Sequence, residues 1–229
     1  MALKQREVSV ANDAPTPSAH RSIALATAIL TGFAVLGTGV VATTYVSTEN
    51  TIAEQQRLAL LDSLNQVIPA DSYDNALTRD TIVVDAPSLN KKGPTTVYRA
   101  RLDGQPVAAV LSVTAPDGYN GDIQLLVGIR KDGNLTGVRT VFHKETPGLG
   151  DAIDAAKSDW IHQFDNASLE RPDASQWAVK KDGGHFDQLT GATITPRAVV
   201  TVVKRSLEYF LQHKTELLAP HSPQEETSP

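Results

Sequence analysis

The chain has 229 residues, enough for one ordinary globular domain with additional segments. Its 41% hydrophobic content permits a sizeable core, and a formal net charge of -5 without a basic patch argues against nucleic acid as a partner. No cysteine is present, which excludes disulfides, thiolate metal sites, cysteine nucleophiles and protein-ligated iron–sulfur clusters; electrons, if handled here, need an organic cofactor.

Residues 1–21 are polar, contain APTPS and read as a mobile tail. SIALATAILTGFAVLGTGVVATTYV, residues 22–46, carries no charged side chain. As a helix it is about 37 Å long, enough to cross the hydrocarbon core with some tilt. A cleaved signal peptide is the rival reading, but the apolar run is long and no clear A-x-A site follows. Lys4, Arg6 and Arg21 precede the span, and Glu49 and Glu54 follow it. The positive-inside tendency therefore puts the N-terminal tail in the cytoplasm and the main domain outside, a bias tempered by Glu7 and Asp13.

Residues 47–79 read as a linking amphipathic helix and loop. Ile52, Leu58, Leu61, Leu64 and Ile68 recur near one face, as for a core or docking helix, and Pro69 disfavours continuation. From Asp80 to His143 the pattern changes to β-formers: TIVVDA, TTVYRARL, QPVAAVLSV, DIQLLVGIR and LTGVRTVFH. LDGQ, PDGYNGD and KDGN separate the last four, and Asp-Gly favours tight hairpin turns, so an antiparallel meander is expected. HKETPGLGDAI follows, and its Pro147, Gly148 and Gly150 suffice for a strand-to-helix bend.

DAIDAAKSDWIHQF reads as one short helix and QWAVKK, residues 176–181, as a late strand. In HFDQLTGATITPRAVV, Thr195 is the expected N-cap and Pro196 the first helical position. The amphipathic helix beyond it places Val199, Val203, Leu207, Phe210 and Leu211 near one face. Residues 219–229 are a flexible tail. The expected fold is α+β: an antiparallel sheet flanked by helices, in a domain spanning 80–218, preceded by one N-terminal transmembrane helix. No metal-ligand cluster is evident.

TGATITP has two readings. In the first it is only a helix cap. In the second, Thr193 is a modifiable hydroxyl with small neighbours, Gly191 and Ala192, just before a helix start whose N–H groups and dipole favour an anion. DQLTGAT, residues 187–193, resembles the D-x-x-[ST]-G-A-[ST] motif of covalent FMN-binding domains, and HKETPGLG resembles their H-x-E-T-P-G-L-G signature. The layout, including YDNAL after the linking helix, is similar to the G subunits of Rnf (Rsx) electron-transport complexes; C subunits of Na⁺-translocating NADH:quinone reductases are relatives.

The resemblance implies FMN joined by a phosphodiester to Thr193, attached by a separate flavin transferase. Thr190, Gly191 and Ala192 would shape the phosphate turn, and Asp187 would serve the transferase or fix the turn. Glu145, Thr146, Gly148 and Leu149 would line the isoalloxazine. Lys144 is read as solvated, with stabilisation of reduced flavin as its alternative. His143 is read as a strand-end surface residue, with an acid/base role as its alternative. Trp160 and Trp177 are read as core packing, with stacking near the flavin as the alternative. No catalytic residue is assigned.

The implied function is an electron relay in ferredoxin/NAD transfer coupled to cation translocation. The protein is expected to be single-pass in the cell inner membrane with a periplasmic domain, alongside other integral-membrane and redox subunits. The alternatives are a quinone-reductase C-like or other extracytoplasmic flavoprotein, and a non-redox membrane-anchored binding or assembly module.

Overall fold

The structure, a computed structural model, describes residues 17–219. The N-terminal tail, the side chains of Ile52 and Glu49, and the tail beyond Ala219 lie outside the described residues. The chain divides into two compact units, Met1–Gln55 and Gln56–Pro229. Helix α1, Pro17–Asn65, starts in the first unit and ends in the second.

Within the first unit, Arg21–Tyr45 is 25 residues long and apolar enough to cross a membrane, and all its side chains are exposed. Two of its hydroxyls are satisfied inside the helix. Thr43 Oγ1 donates to the Gly39 carbonyl at 2.7 Å and Thr44 Oγ1 to that of Val40 at 2.9 Å. Such back-bonding lets threonine sit in an apolar helix without an unsatisfied polar atom.

The second unit is built on five antiparallel strands in sequential order. They are β1 Thr81–Val84, β2 Thr95–Leu102, β3 Gln105–Gly118, β4 Gly121–Arg130 and β5 Leu135–Phe142. The meander follows from short turns. Between β2 and β3, Asp103 and Gly104 both take positive φ, 51° and 72°, the mirror-image turn whose twist suits a two-residue hairpin.

Alternation along the central strands sorts the core into two layers. Ala109, Leu111, Val113 and Ala115 of β3 join Ile123, Leu125, Val127 and Ile129 of β4 in one cluster. Leu111 faces Val127 and Val113 faces Leu125 across the ladder. Ala108, Val110 and Leu126 point to the other face, where Leu64, Val67, Ile68 and Leu77 cover them. Burial on both faces explains the nearly continuous apolar run in β4.

Helix α2, Ile194–Leu217, covers the first layer. Val199, Val203, Leu207 and Phe210 are fully buried, as their spacing requires, together with Val200 and Val202. Tertiary packing thus outweighs the weak helix propensity of the valines. Leu211, expected on the same face, is 46% exposed. On the linking helix the docking face is shorter than expected: Leu64 and Ile68 are buried and Leu61 half-buried, but Leu58 is exposed.

YDNAL has a structural purpose. Leu77 is buried; Asn75 Oδ1 accepts from the Arg101 N–H at 2.9 Å, and Asn75 Nδ2 donates to the Arg99 carbonyl at 2.9 Å. Asp80 sits between two buried arginines, with Oδ1 2.6 Å from Arg99 Nε and Oδ2 2.6 Å from Arg101 Nε. Burial pushes the Asp80 carboxyl up, but hydrogen bonds from Arg101 and Arg99 and their charges outweigh it. The net direction is below the usual carboxylate range.

Three local expectations fail between β5 and α2. Residues 150–164 form two short 3-10 segments, Gly150–Ile153 and Asp159–Phe164, rather than one helix. Asp154 and Ser158 are extended; Ser158 Oγ accepts the Trp160 N–H, and Asp154 Oδ1 accepts the Ala156 N–H. Short polar side chains here compete for the backbone groups a continuous helix needs. QWAVKK forms no strand. It spans short turns at Ala174–Gln176 and Lys180–Asp182, with a single parallel bridge from Val179 to Phe186. Thr195 is not the N-cap of α2, as described below.

Candidate functional site

A cleft of about 350 Å³ opens where the β3–β4 hairpin, the segment after β5 and the start of α2 converge. Its lining comes from Tyr119 on the hairpin, Glu145, Thr146, Leu149 and Gly150 after β5, and Gly191 through Thr195. Residues from both signature motifs therefore share one concavity, although about forty positions separate them in sequence.

The α2 end is arranged unlike an ordinary cap. The helix begins at Ile194, two residues before Pro196, so Thr193 is the N-cap; its backbone is already helical, and its side chain makes no capping bond. Proline is tolerated at its observed place because first-turn N–H groups have no intrahelical acceptor anyway. Thr195 is instead inside the first turn and fully buried, and its hydroxyl donates to Glu145 Oε2. Thr193 is half-buried on the cleft wall. Gly191 turns the chain with φ +80°, and Leu149 lies against it.

Glu145 is the centre of the polar floor. It is 4% exposed, and its Oε1 accepts the Asn120 N–H at 3.0 Å. Asn120 Nδ2 in turn donates to Thr146 Oγ1 at 3.0 Å. His143 Nδ1 accepts the Glu145 N–H at 3.1 Å, so this histidine shapes the turn rather than standing free on the surface. A side chain at Gly150 would displace the pair of Glu145 and Thr195: a Cβ there would stand 2.7 Å from Glu145 Oε2 and 2.9 Å from Thr195 Oγ1.

The remaining motif residues support this wall from outside the cleft lining. Thr190, Gly148 and Asp187 are exposed. The Asp187 backbone is tied down: its carbonyl accepts Trp160 Nε1 at 2.6 Å, and its N–H donates to Gln163 Oε1 at 2.8 Å. Its carboxylate meets Lys180 Nζ at 2.5 Å. Lys144 is exposed. Trp160 and Trp177 belong to a core cluster with Phe164 and Phe186, and Trp177 Nε1 donates to the Ser168 carbonyl at 3.1 Å. Arg197 Nε lies 2.5 Å from Asp182 Oδ2, which braces the loop before α2 and lowers the Asp182 pKa through that hydrogen bond.

Sequence reasoning missed Tyr119 and Asn120, which lay inside a stretch read only as a turn. It also took Thr195 for a cap and Gly150 for a bend.

Residues 118–208 match the FMN-binding domain family model, and residues 17–67 match the RnfG N-terminal region. Among curated relatives, the G subunit of the ion-translocating oxidoreductase complex of Pseudomonas aeruginosa is 51% identical, covering 89% of this chain and 96% of its own. Its counterpart of the same name in Pseudoalteromonas atlantica is 47% identical over 83% and 89% of the two chains. This chain belongs to the family of G subunits of ion-translocating oxidoreductase complexes. A more distant likeness, 21% identical with a TM-score of 0.45 over 65% of this chain and 72% of the other, is to the crystal structure of Shewanella oneidensis NqrC. The match to the FMN-binding domain spans every residue that lines the cleft, from Tyr119 to Thr195.

Proposed function

We propose that this G-family chain carries FMN in the cleft, joined by a phosphodiester to Thr193, and relays electrons within an Rnf-type membrane complex. The observation that carries the reading is the state of Thr193. The residue is half-buried at the wall of a cleft and stands at the N-cap of a 24-residue helix, and its hydroxyl is not spent on capping that helix. A threonine kept only as a cap would make that bond.

The cleft suits the group. Its volume lies in the range of small-molecule sites; Tyr119, Leu149 and Ile194 offer apolar cover, while Thr146 and backbone groups offer hydrogen bonds. First-turn N–H groups and the helix dipole favour a phosphodiester anion at Thr193. Gly191 and Ala192 keep the approach open to a flavin transferase. Bound FMN supplies one- and two-electron chemistry that a cysteine-free chain otherwise lacks.

In this reading residues 22–46 anchor the chain in the cell inner membrane, with residues 1–21 cytoplasmic. Residues 47–79 link the anchor to an FMN domain spanning 80–218 on the periplasmic side, followed by a tail from 219. Ferredoxin and NAD chemistry and cation movement reside on partner subunits, and the tether keeps the flavin from loss to a dilute compartment.

The test is co-expression with a flavin transferase, then intact-mass measurement and peptide mapping. An FMN adduct on the peptide containing Thr193, absent from Thr193→Ala, is the expected result. An adduct on another peptide, or none on material matured in the native host, would refute the assignment.

A further inference from the structure

Three threonines crowd the start of α2, at 190, 193 and 195, and their surroundings differ. Thr190 is exposed and outside the cleft lining, Thr195 is fully buried and bonded to Glu145, and Thr193 alone combines cleft lining with an uncapped position. What separates 193 from 195 is therefore Glu145. Burying an ionisable carboxyl is costly, and among the described residues no lysine, arginine or histidine forms an ion pair with this one. A leucine would fill the same volume without that cost. The carboxyl is instead spent on joining parts: Oε1 takes the Asn120 N–H of the hairpin, and Oε2 takes the Thr195 hydroxyl. Gly150 yields the space for the second of these bonds.

We infer that Glu145 and Thr195 are a positioning pair for the modification threonine. By bonding inside the first turn of α2, Glu145 fixes the rotation of that turn against the hairpin and the segment after β5. It also withdraws the competing hydroxyl from solvent, leaving Thr193 presented. The inference rests on the proposed attachment at Thr193. In that step the Thr193 Oγ–phosphorus bond forms, the pyrophosphate bond of a flavin adenine dinucleotide donor breaks, AMP leaves, and the hydroxyl proton passes to solvent.

The experiment measures the initial rate of adduct formation by intact mass, using purified full-length chain, a flavin transferase and flavin adenine dinucleotide. Thr195→Val keeps the shape and removes the donor; Thr195→Ser keeps the donor. A core variant on the same helix, Val203→Ala, serves as a stability control. Thr195→Val is expected to slow attachment about tenfold, the rate equivalent of one lost hydrogen bond, while Thr195→Ser and Val203→Ala stay near wild type. Glu145→Leu, which can accept neither bond, is expected to slow attachment at least as much as Thr195→Val. If Glu145→Leu does not fold, Thr195→Val decides alone. Wild-type rates in Thr195→Val, or equal slowing in Val203→Ala at matched melting temperature, would overturn the pairing. Absence of any adduct on wild-type Thr193 would instead overturn the underlying attachment, a separately readable outcome.

Discussion

The sheet and the stretch between β5 and α2 are held together in different ways. Along the strands between residues 81 and 142 the chain repeats one device, apolar side chains sent alternately to two covered faces and set against ladder partners. From 143 to 193 it has only short 3-10 segments and isolated bridges, and relies on single anchors. Phe164 packs against Trp160, Trp177 and Phe186, with ring centroids 5.6, 6.2 and 4.8 Å away. The indole N–H groups of both tryptophans are bonded to carbonyls of that same stretch. Redundant contacts make the first region tolerant. Unique ones make the second breakable, and the second bears most of the cleft.

The largest break should come from Phe164→Ala. The side chain is fully buried, so its removal should cost about 3–5 kcal/mol, measured by denaturant unfolding. Hydrogen exchange should rise first from 150 to 193 while β3 and β4 stay protected; simultaneous exposure of both regions would show that they are one cooperative unit after all.

The sheet has its own single point of failure in Asp80. Asp80→Asn leaves Arg99 and Arg101 facing a neutral amide, and should cost about 3 kcal/mol, as for a broken buried pair. The pH dependence has a definite sign. Because the folded-state pKa of Asp80 lies below its ordinary value, the stabilisation is complete above the unfolded pKa of about 3.9 and is lost as pH falls through the folded one. Acid unfolding curves of wild type should therefore fall more steeply below about pH 4 than those of Asp80→Asn.

A smaller effect sharpens the comparison at the cleft. Trp160→Phe keeps an aromatic ring but loses the N–H bonded at 2.6 Å to the Asp187 carbonyl. A loss of about 1 kcal/mol is expected, with faster amide exchange confined to residues 187–193.

Legibility in the sequence follows the same division. All five strands are readable because β-formers, alternation and Asp-Gly turns are local signals; burial alternates from Leu111 to Ala115 in β3, whereas β4 is buried on both faces. QWAVKK misleads because Trp177 and Val179 are buried at strand spacing yet serve as plugs in a turn. The 150–164 stretch misleads because its apolar residues suit a helix, whereas Asp154 and Ser158 bind nearby backbone instead. At the cleft, motif residues could be named from their pattern. Asn120 could not, since its bonds to Glu145 and Thr146 join positions about 25 residues apart and leave no periodic trace.

The smallest expected effect on stability is at Thr193 itself, and its smallness is the point. Replacing a threonine that caps a helix with alanine ordinarily costs about 1 kcal/mol. Thr193 occupies the N-cap but makes no side-chain bond there, and its backbone is already helical, a conformation alanine also adopts. Thr193→Ala should therefore change the unfolding free energy by less than about 0.5 kcal/mol in protein without an adduct. Thr195→Val, by contrast, loses a buried bond to Glu145 and should cost about 1–3 kcal/mol. If Thr193→Ala proved the more damaging of the two, Thr193 would be acting as a structural cap, and the case for its hydroxyl being reserved for chemistry would lose its main support.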